Sequence, residues 1–301
     1  MPMLTDKIRL TGSNCTEPEE IFFSALAVIF PDDINNQHGD SSCNVIYDSA
    51  VHGEILLSLA DPKGQDVFLY SHFVWNAAVQ LAILLEIGEE PILHENSSQW
   101  DVTGHHVLEL GAGTGLAGIV ACLMGAEETV ITDYPAAEVL ANIQVNITRN
   151  VISRSISIGK ETPIITCQGH EWGQLQDSFS LAHQCAFTRI LVCDCLWMPW
   201  QHENLQASIA WFLAEQGQAW VVAGFHTGRK KMRGFFEEIS LQKAGLELKR
   251  IWERNSNGTD REWLADRGQE SITELKGWLV IAILRKRTTS GFVSDERNAN
   301  T

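Results

Sequence analysis

The segment from His106 to Leu116 reads HVLELGAGTGL and decides the predicted fold. His106–Leu110 has three apolar residues in five and the length of a buried strand. Three glycines follow it, and the apolar residues after them predict a helix over Leu116–Met124. Glycine allows a tight turn between the two elements and lets a ligand approach the backbone closely. The segment therefore predicts a βα unit that binds a nucleotide-like ligand at its turn.

Strands and helices alternate along the chain on both sides of this unit, which predicts an α/β fold. We expect a seven-stranded, mostly parallel sheet with helices on both faces and an antiparallel C-terminal strand. The further predicted strands are Thr129–Thr132, Ile164–Cys167, Ile190–Cys193, Ala219–Ala223, Leu246–Trp252 and Gly277–Leu284. The further predicted helices are Tyr70–Ile87, Pro135–Asn150, Gln201–Glu215 and Lys230–Ala244.

The first 66 residues predict a small α+β extension. Thr16 and the acidic residues after it are typical of a helix start, and that helix should end before Pro31. Two short strands, Val45–Tyr47 and Glu54–Leu57, should follow, joined by a turn near Gly53. We therefore expect an N-terminal helix and hairpin extension over residues 1–66, a main domain over 67–286, and a disordered tail over 287–301.

The charge balance excludes several kinds of partner. The 301 residues carry 22 basic and 38 acidic side chains, a net charge of −16. Nucleic-acid binding needs clustered lysine and arginine, so no nucleic-acid partner is expected. No apolar stretch reaches the ~18–20 residues that a membrane span requires, so no membrane association is expected. The acidic excess is a solubility charge or a surface that attracts a basic partner.

The cysteines and histidines indicate a reduced, metal-free protein. The seven cysteines form no C-x-x-C pair, and no secretion signal precedes them, which is typical of reduced thiols in the cytoplasm. The ten histidines show no metal-ligand spacing, so no metal is expected. We expect a cytoplasmic monomer.

Details of the glycine turn distinguish a dinucleotide cofactor from S-adenosylmethionine. Leu116 stands where the third glycine of a dinucleotide fingerprint belongs. Glu109 lies two residues before the first glycine, where a carboxylate would repel a pyrophosphate. S-adenosylmethionine has no phosphate and carries a sulfonium and an ammonium group. Asp133, at the end of the next strand, suits the ribose hydroxyls of either cofactor. Together these residues favour S-adenosylmethionine.

The segment Val107–Pro135 resembles the core of Rossmann-like class I methyltransferases. Two flanking stretches, Ser71–Ala77 and Glu171–Gly173, are similar to those of the family-16 (lysine methyltransferase-like) group. Within this group the chain most resembles fungal nicotinamide N-methyltransferase-like proteins, relatives of the enzyme that methylates the N-terminus and a lysine of translation elongation factor 1-alpha. Phe30–Asp40 also resembles this subgroup. The resemblance covers roughly residues 17–285.

The resemblance implies a role for each matching residue. Trp75 would lie against the cofactor, and the glycine turn would wrap its methionyl end. Asp133 would hold the ribose, Trp172 would stack near the adenine, and Cys193 would present its backbone beside the cofactor. The expected cofactor-binding residues are thus Trp75, Glu109, Gly111, Ala112, Gly113, Asp133, Trp172 and Cys193.

The acceptor site is expected just beyond the fourth strand of the main sheet. Asp194 stands there and would accept a hydrogen bond from the acceptor amine, with Trp197 and Trp200 as aromatic walls. His202 would relay a proton. His226 and Thr227, after the fifth strand, are expected to face the same crevice.

Four functions remain open at this stage. A protein N-methyltransferase of the elongation-factor type, acting on a lysine or N-terminal amine, predicts an open acidic groove. A small-molecule N-methyltransferase, acting on a nicotinamide-like or alkaloid-type amine, predicts a closed aromatic pocket; Trp197 replaces the tyrosine of the Asp-x-x-Tyr motif found in many lysine methyltransferases of the group. An oxidoreductase is opposed by Glu109 and Leu116. A non-catalytic cofactor-binding scaffold would differ only in lacking turnover.

Overall fold

An eight-stranded mixed sheet forms the centre of the molecule in a computed structural model, which describes residues 4–11, 37–39, 44–87 and 99–287. The strands are β1 Ile8–Thr11, β2 Gln37–His38, β3 Asn44–Ser49, β4 Gly53–Leu57, β5 Val74–Trp75, β6 His106–Leu110, β7 Glu128–Asp133, β8 Ile164–Gly169, β9 Phe187–Cys193, β10 Leu213–Gly224, β11 Leu246–Asn255, β12 Asp260–Glu262 and β13 Trp278–Lys286. The α-helices are α1 Asn76–Ile87, α2 Leu116–Leu123, α3 Ala137–Ile147, α4 Ser153–Ser157, α5 Ser178–Ala182, α6 His202–Phe212, α7 Arg229–Met232, α8 Glu238–Lys243 and α9 Ile272–Lys276. Short 3-10 turns span Leu4–Lys7, Gly64–Leu69, Pro199–Gln201 and Arg233–Phe236, and a π turn spans Thr148–Ile152.

The strand order of the main sheet is β12-β11-β13-β10-β9-β6-β7-β8. The five strands from β10 to β8 run parallel, and β13 pairs antiparallel with both β10 and β11. The predicted α/β class, the seven strands and the antiparallel C-terminal strand are confirmed. The eighth strand, β12, adds three residues beside β11.

Helices cover both faces of the sheet because its strands are apolar on both sides. In β6, Val107 belongs to the hydrophobic cluster that includes α1, α2 and α3. Leu108 and Leu110 belong to the cluster on the opposite face, which includes α6 and α8. The chain leaves β6 toward β7 and later returns to β9 on the other side of β6. This reversal creates a crevice at the carboxyl ends of the strands, where α/β sheets bind ligands.

A second, three-stranded antiparallel sheet joins β1, β3 and β4. Asparagine side chains from α3 and the π turn hydrogen-bond the backbone of β4 and the residue after it. Asn150 Oδ1 accepts the Leu56 N–H at 3.0 Å, and Asn146 Oδ1 accepts the Ser58 N–H at 2.8 Å. These contacts attach the small sheet to the main one. The domain boundary at residues 66/67 stays a prediction.

Three predicted helices differ in the structure, and the one predicted over Gln201–Glu215 ends at Phe212, where β10 follows directly. The helix predicted from Tyr70 begins at Asn76, because Tyr70 has a left-handed backbone and β5 pairs with β2 just before the helix. The helix predicted over 230–244 is three short turns, interrupted where Glu237 adopts an extended conformation and Phe235 and Phe236 insert into the core. The predicted helix from Thr16, the Phe30–Asp40 resemblance apart from residues 37–39, and the tail beyond residue 287 lie outside the described residues.

Candidate functional site

A cavity opens at the carboxyl ends of β6, β7 and β9, in the crevice created by the chain reversal. Counted out to its open mouth, including solvent space, it encloses about 920 Å³. Its lining comes from five parts of the chain and consists of Leu69, Tyr70, Ser71, Phe73, Trp75, Ala78, Gly111, Ala112, Gly113, Thr114, Asp133, Tyr134, His170, Glu171, Trp172, Cys193, Asp194, Cys195, Trp197, Met198 and Gln201.

The glycine turn forms one wall of this cavity with its bare backbone. Gly111, Gly113 and Gly115 have φ values of +68°, +58° and +79°, which side chains rarely adopt. A Cβ on Gly111 would lie 2.6 Å from the Cys195 sulfur and 2.8 Å from the Trp172 ring. Glycine is therefore required at position 111 by both the backbone angle and the neighbouring side chains.

Asp133 anchors the glycine turn from the end of β7. Its carboxylate accepts the Gly113 N–H and the Tyr134 N–H, each at 2.7 Å, so each oxygen holds one amide. Burial raises the pKa of Asp133 to about 6, although the two amide hydrogen bonds lower it. A carboxylate oxygen has a second lone pair. Asp133 therefore fixes the turn and keeps acceptor capacity for hydroxyl groups in the cavity.

Glu109 does not line the cavity, which corrects the expectation that it is part of the cofactor surface. Its side chain is fully buried beneath the turn, where Oε2 accepts the Gly118 N–H of α2 at 2.9 Å. Oε1 is buried and has no partner among the described residues. Burial is the main reason that the pKa of Glu109 rises to about 8, and the nearby Asp133 raises it further.

Trp75 and Trp172, which are expected to contact the cofactor, both line the cavity. The indole N–H of Trp75 donates to the Tyr70 carbonyl at 3.0 Å, and its ring packs edge-on against His226 with 4.9 Å between ring centroids. Trp172 lies against the glycine turn. Cys193 also lines the cavity, and burial raises the pKa of its thiol well above the usual value, so the thiol is neutral.

Asp194 lies in the cavity wall directly after β9, with a left-handed φ of +56°. Its Oδ1 accepts the Gly224 N–H at 2.7 Å and lies 2.9 Å from Nε2 of His226. Its Oδ2 is buried and has no partner among the described residues. A non-glycine residue in this conformation costs about 1–3 kcal/mol, and such strain concentrates at functional sites. One oxygen of Asp194 is held by the protein, and the other is buried without a hydrogen-bond partner among the described residues.

The remaining predicted acceptor residues separate into two groups. Trp197 lines the cavity, with its ring edge-on to Tyr70 at 5.4 Å between centroids. His202 does not line the cavity, which corrects its assignment as a proton relay. Its side chain is buried, with Nε2 3.0 Å from the Leu196 carbonyl oxygen and the ring packed on Phe235. Burial lowers the pKa of His202. Trp200 is largely exposed rather than a wall.

Sequence reasoning missed several lining residues, chiefly Tyr70, Ser71 and Phe73. The sequence predicts a helix over Tyr70–Ile87. In the structure these three residues precede β5 and α1 and line the cavity. Tyr134 also lines the cavity, directly after Asp133.

The electrostatics of the cavity favour a cationic ligand. Its described lining includes three carboxylates, Asp133, Glu171 and Asp194, and contains no lysine or arginine. A pyrophosphate would meet negative charge without a compensating cation. A ligand with sulfonium and ammonium groups would meet carboxylates and the faces of aromatic rings, both of which attract cations.

The strand order, the glycine turn after the first central strand and the acid after the second together define the class I methyltransferase fold. In solved structures, a Streptococcus mutans protein proposed to be a SAM-dependent methyltransferase superposes on 88% of this chain and 64% of its own, with a TM-score of 0.50 and 11% identity. At this identity the match shows the fold alone.

The chain belongs to the lysine methyltransferase family, whose family model matches residues 54–242. This family depends on S-adenosylmethionine. Both the predicted family and the predicted cofactor are confirmed at this level. Within the described residues, no helix has the length and hydropathy to cross a membrane, and no cluster of three or more histidine, cysteine or acidic side chains is arranged to hold a metal ion.

Several curated methyltransferases are similar to this chain in sequence. The chain is 33% identical over 160 residues to Protein N-terminal and lysine N-methyltransferase EFM7 of Candida glabrata, covering 52% of this chain and 56% of that protein. It is 26% identical over 199 residues to EFM7 of Yarrowia lipolytica, covering 62% and 68%. A 75-residue stretch is 48% identical to Protein N-lysine methyltransferase METTL21A of Danio rerio, covering 25% and 30%. The chain thus spans little more than half the length of the first relatives.

Proposed function

We propose that this protein is an S-adenosylmethionine-dependent N-methyltransferase that methylates an amine of a protein, either a lysine side chain or an N-terminus. The observation that carries the proposal is the position of Asp194, whose Oδ2 has no partner among the described residues, in the lining of an anionic, aromatic cavity beside the glycine turn. The names of the relatives support a protein acceptor.

The cofactor would occupy the part of the cavity nearest the turn. The backbone of Gly111–Gly113 would receive its methionyl end, Asp133 would accept its ribose hydroxyls, and Trp172 would face its adenine. When bound, this cofactor supplies a methyl group on a sulfonium, which an amine can displace directly. Glu109 would act from beneath the turn by holding the start of α2, without touching the cofactor.

The acceptor amine would enter beside Asp194. Methyl transfer needs an uncharged nitrogen whose lone pair points at the methyl group, so the ammonium must first release its proton to solvent and the protein must orient the resulting amine. Oδ2 of Asp194 is the unpaired acceptor for an amine N–H. His226 holds Oδ1 and thereby fixes the orientation of the carboxylate. Trp75 and Trp197 provide ring surfaces for a cationic amine and its methylated product.

The particular protein acceptor follows from resemblance. Similarity to the elongation-factor methyltransferases makes translation elongation factor the first candidate, and the reaction would take place in the cytoplasm, catalysed by a monomer. A small amine is the second candidate, favoured by the aromatic lining around Trp197. The open mouth of the cavity favours the protein acceptor.

Purified protein incubated with methyl-labelled S-adenosylmethionine and a cell lysate distinguishes these candidates. We expect label in one acid-precipitable protein band, with the methyl group located on a lysine or N-terminal amine by peptide mass. Asp194→Asn is the matched control and should abolish labelling. Label confined to the soluble fraction would establish a small-molecule acceptor instead. Calorimetry that detects a nicotinamide dinucleotide but not S-adenosylmethionine would refute the proposal altogether.

A further inference from the structure

The two segments that supply Tyr70 and Trp197 to the cavity lining carry further aromatic side chains beside the lining residues. We use the name aromatic rim for Phe68, Tyr70, Trp197 and Trp200. Phe68 is 60% exposed, Tyr70 42% and Trp200 72%, so these large rings face solvent rather than the core. Tyr70 and Trp197 line the cavity, and the other two are adjacent in sequence to the lining residues Leu69 and Gln201.

The rim consists of two separate segments that meet across the cavity. The 3-10 turn Gly64–Leu69 and Tyr70 supply one side, and the segment from Trp197 to the 3-10 turn Pro199–Gln201 supplies the other. The edge-on contact between Tyr70 and Trp197, 5.4 Å between centroids, joins them. Each segment thus contributes both exposed aromatic residues and residues of the cavity lining.

Negative charge lies just inside the rim. The three carboxylates of the cavity are unaccompanied by any lysine or arginine in the described lining, and Asp194 contributes a buried oxygen without a partner. The whole chain carries a net charge of −16. Exposed aromatic faces bind guanidinium and ammonium groups, and this attraction adds to that of nearby carboxylates.

We infer that the aromatic rim binds an extended segment of the protein substrate that carries lysine or arginine next to the methylated amine. This inference rests on the proposed function and adds to it a sequence preference in the substrate. Flanking cations would stack on Trp200 and Phe68 while the acceptor amine reaches Asp194.

Other occupants fit the same surface less well. An apolar peptide would cover the rings but leave the carboxylates of the cavity without a cation. A second copy of this chain would bring two strongly acidic molecules together at their anionic openings, where like charges repel. A phosphate-bearing ligand would meet the same repulsion. A basic peptide would place cations against both the aromatic rings and the carboxylates.

Two synthetic 12-residue peptides test the inference. Both contain one central lysine; in one it is flanked by two arginines on each side, and in the other by two leucines on each side within an otherwise glycine–serine chain. Binding is measured by fluorescence polarisation with S-adenosylhomocysteine present, which does not require methyl transfer. The variants are Trp200→Ala, and Ile239→Ala as the control, because Ile239 is similarly exposed, at 66%, and lies on α8, away from the segments that line the cavity.

We expect the arginine peptide to bind at least tenfold more tightly than the leucine peptide and to lose affinity as salt rises. Trp200→Ala should weaken its binding about fivefold or more, consistent with a cation–π contact. Ile239→Ala should leave it unchanged. Equal binding of both peptides, tighter binding of the leucine peptide, or an unchanged affinity in Trp200→Ala would overturn the inference. If the arginine peptide binds through Trp200 but no protein is ever methylated, the proposed function fails and the basic-peptide site stands.

Discussion

His226 Nε2 lies 2.9 Å from Oδ1 of Asp194, and this pair joins the loops that follow two neighbouring strands, β9 and β10. The same Oδ1 accepts the Gly224 N–H, whereas Oδ2 has no partner in the described part of the chain. Burial lowers the pKa of His226, but the Asp194 carboxylate raises it more, so the net shift is upward. The Asp194 carboxylate is therefore held in place, and a protonated His226 can balance its negative charge.

Asp194→Asn should separate catalysis from cofactor binding. The asparagine oxygen can keep the bonds to Gly224 and His226, which places an NH₂ group where Oδ2 stands in the wild type. An NH₂ group cannot accept the amine N–H, so turnover should fall by about 10²-fold or more. The dissociation constant of S-adenosylmethionine should stay within about threefold, since Asp194 faces the acceptor. If the variant loses cofactor affinity but keeps its turnover at saturation, Asp194 belongs to the cofactor site.

His226→Gln should change the pH dependence of the reaction. At pH values below the raised pKa of His226, the imidazolium neutralises Asp194, so kcat/KM of the wild type should rise as pH rises through that pKa. Glutamine keeps an N–H donor near Oδ1 but does not titrate, so the variant should lack this step. Deprotonation of the acceptor amine contributes equally to both enzymes and cancels in the ratio of their profiles. Parallel profiles would show that His226 is only structural.

Asp133→Ala should weaken cofactor binding and abolish its acid sensitivity. The pKa of Asp133 is about 6 because the group is buried, so the carboxylate is protonated as pH falls from 7 to 5. Wild-type affinity for S-adenosylmethionine should therefore fall over this range. Alanine removes the acceptors, each worth about 1.5–3 kcal/mol, and should raise the dissociation constant at least tenfold at pH 7.5. Calorimetry at both pH values measures this; an unchanged constant contradicts the ribose role.

Gly111→Ala should close the cavity, and Gly104→Ala is its matched control. Both glycines have a φ of +68°, so both substitutions incur the same backbone strain of about 1–2 kcal/mol. At Gly104 nothing lies within 4 Å of the added Cβ, whereas at Gly111 the Cys195 sulfur and the Trp172 ring must move. Cofactor affinity should fall at least tenfold in Gly111→Ala alone. Equal losses in both variants would assign the effect to backbone strain.

Glu109→Gln should stabilise the protein increasingly as pH rises. Because burial raises the pKa of Glu109 to about 8, the folded protein retains a proton that the unfolded chain releases above about pH 4.3. The free energy of unfolding of the wild type therefore falls as pH rises from about 4.5 to 8. Glutamine carries no such proton, so the difference in Tm between variant and wild type should grow between pH 5 and pH 8. A constant difference would mean that Glu109 is ionised in the folded state.

The central βα unit could be predicted from the sequence with almost correct boundaries. The strand predicted at His106–Leu110 is β6, and the helix predicted at Leu116–Met124 differs from α2 by one residue. Glycines, apolar runs and turn residues act on their immediate neighbours, so these signals are complete within a short window. The family resemblance rests on the same windows, and for that reason most of the predicted cofactor residues do line the cavity.

The errors lie where one segment meets a distant one. Tyr70 has the composition of a helix start, but the pairing of β5 with β2 and its own contact with Trp197 place it at the cavity mouth. His202 follows the expected acceptor residues in sequence, yet the packing of Phe235 turns its ring into the core. Neither partner is visible in a local pattern, because the order of the strands decides which segments become neighbours.

The sequence by itself determined the α/β class, the parallel strands, the glycine turn and the type of cofactor, because alternation, glycine spacing and charge type are local properties. Only the tertiary structure decided that Glu109 lies beneath the turn, that Asp194 has one oxygen held by a histidine 32 residues away, and that Tyr70 meets Trp197 in the wall of an anionic cavity. Those properties depend on burial and on contacts between distant residues. The chain reverses direction across the sheet between β8 and β9, and this reversal brings the ends of β6, β7 and β9 together to form the site.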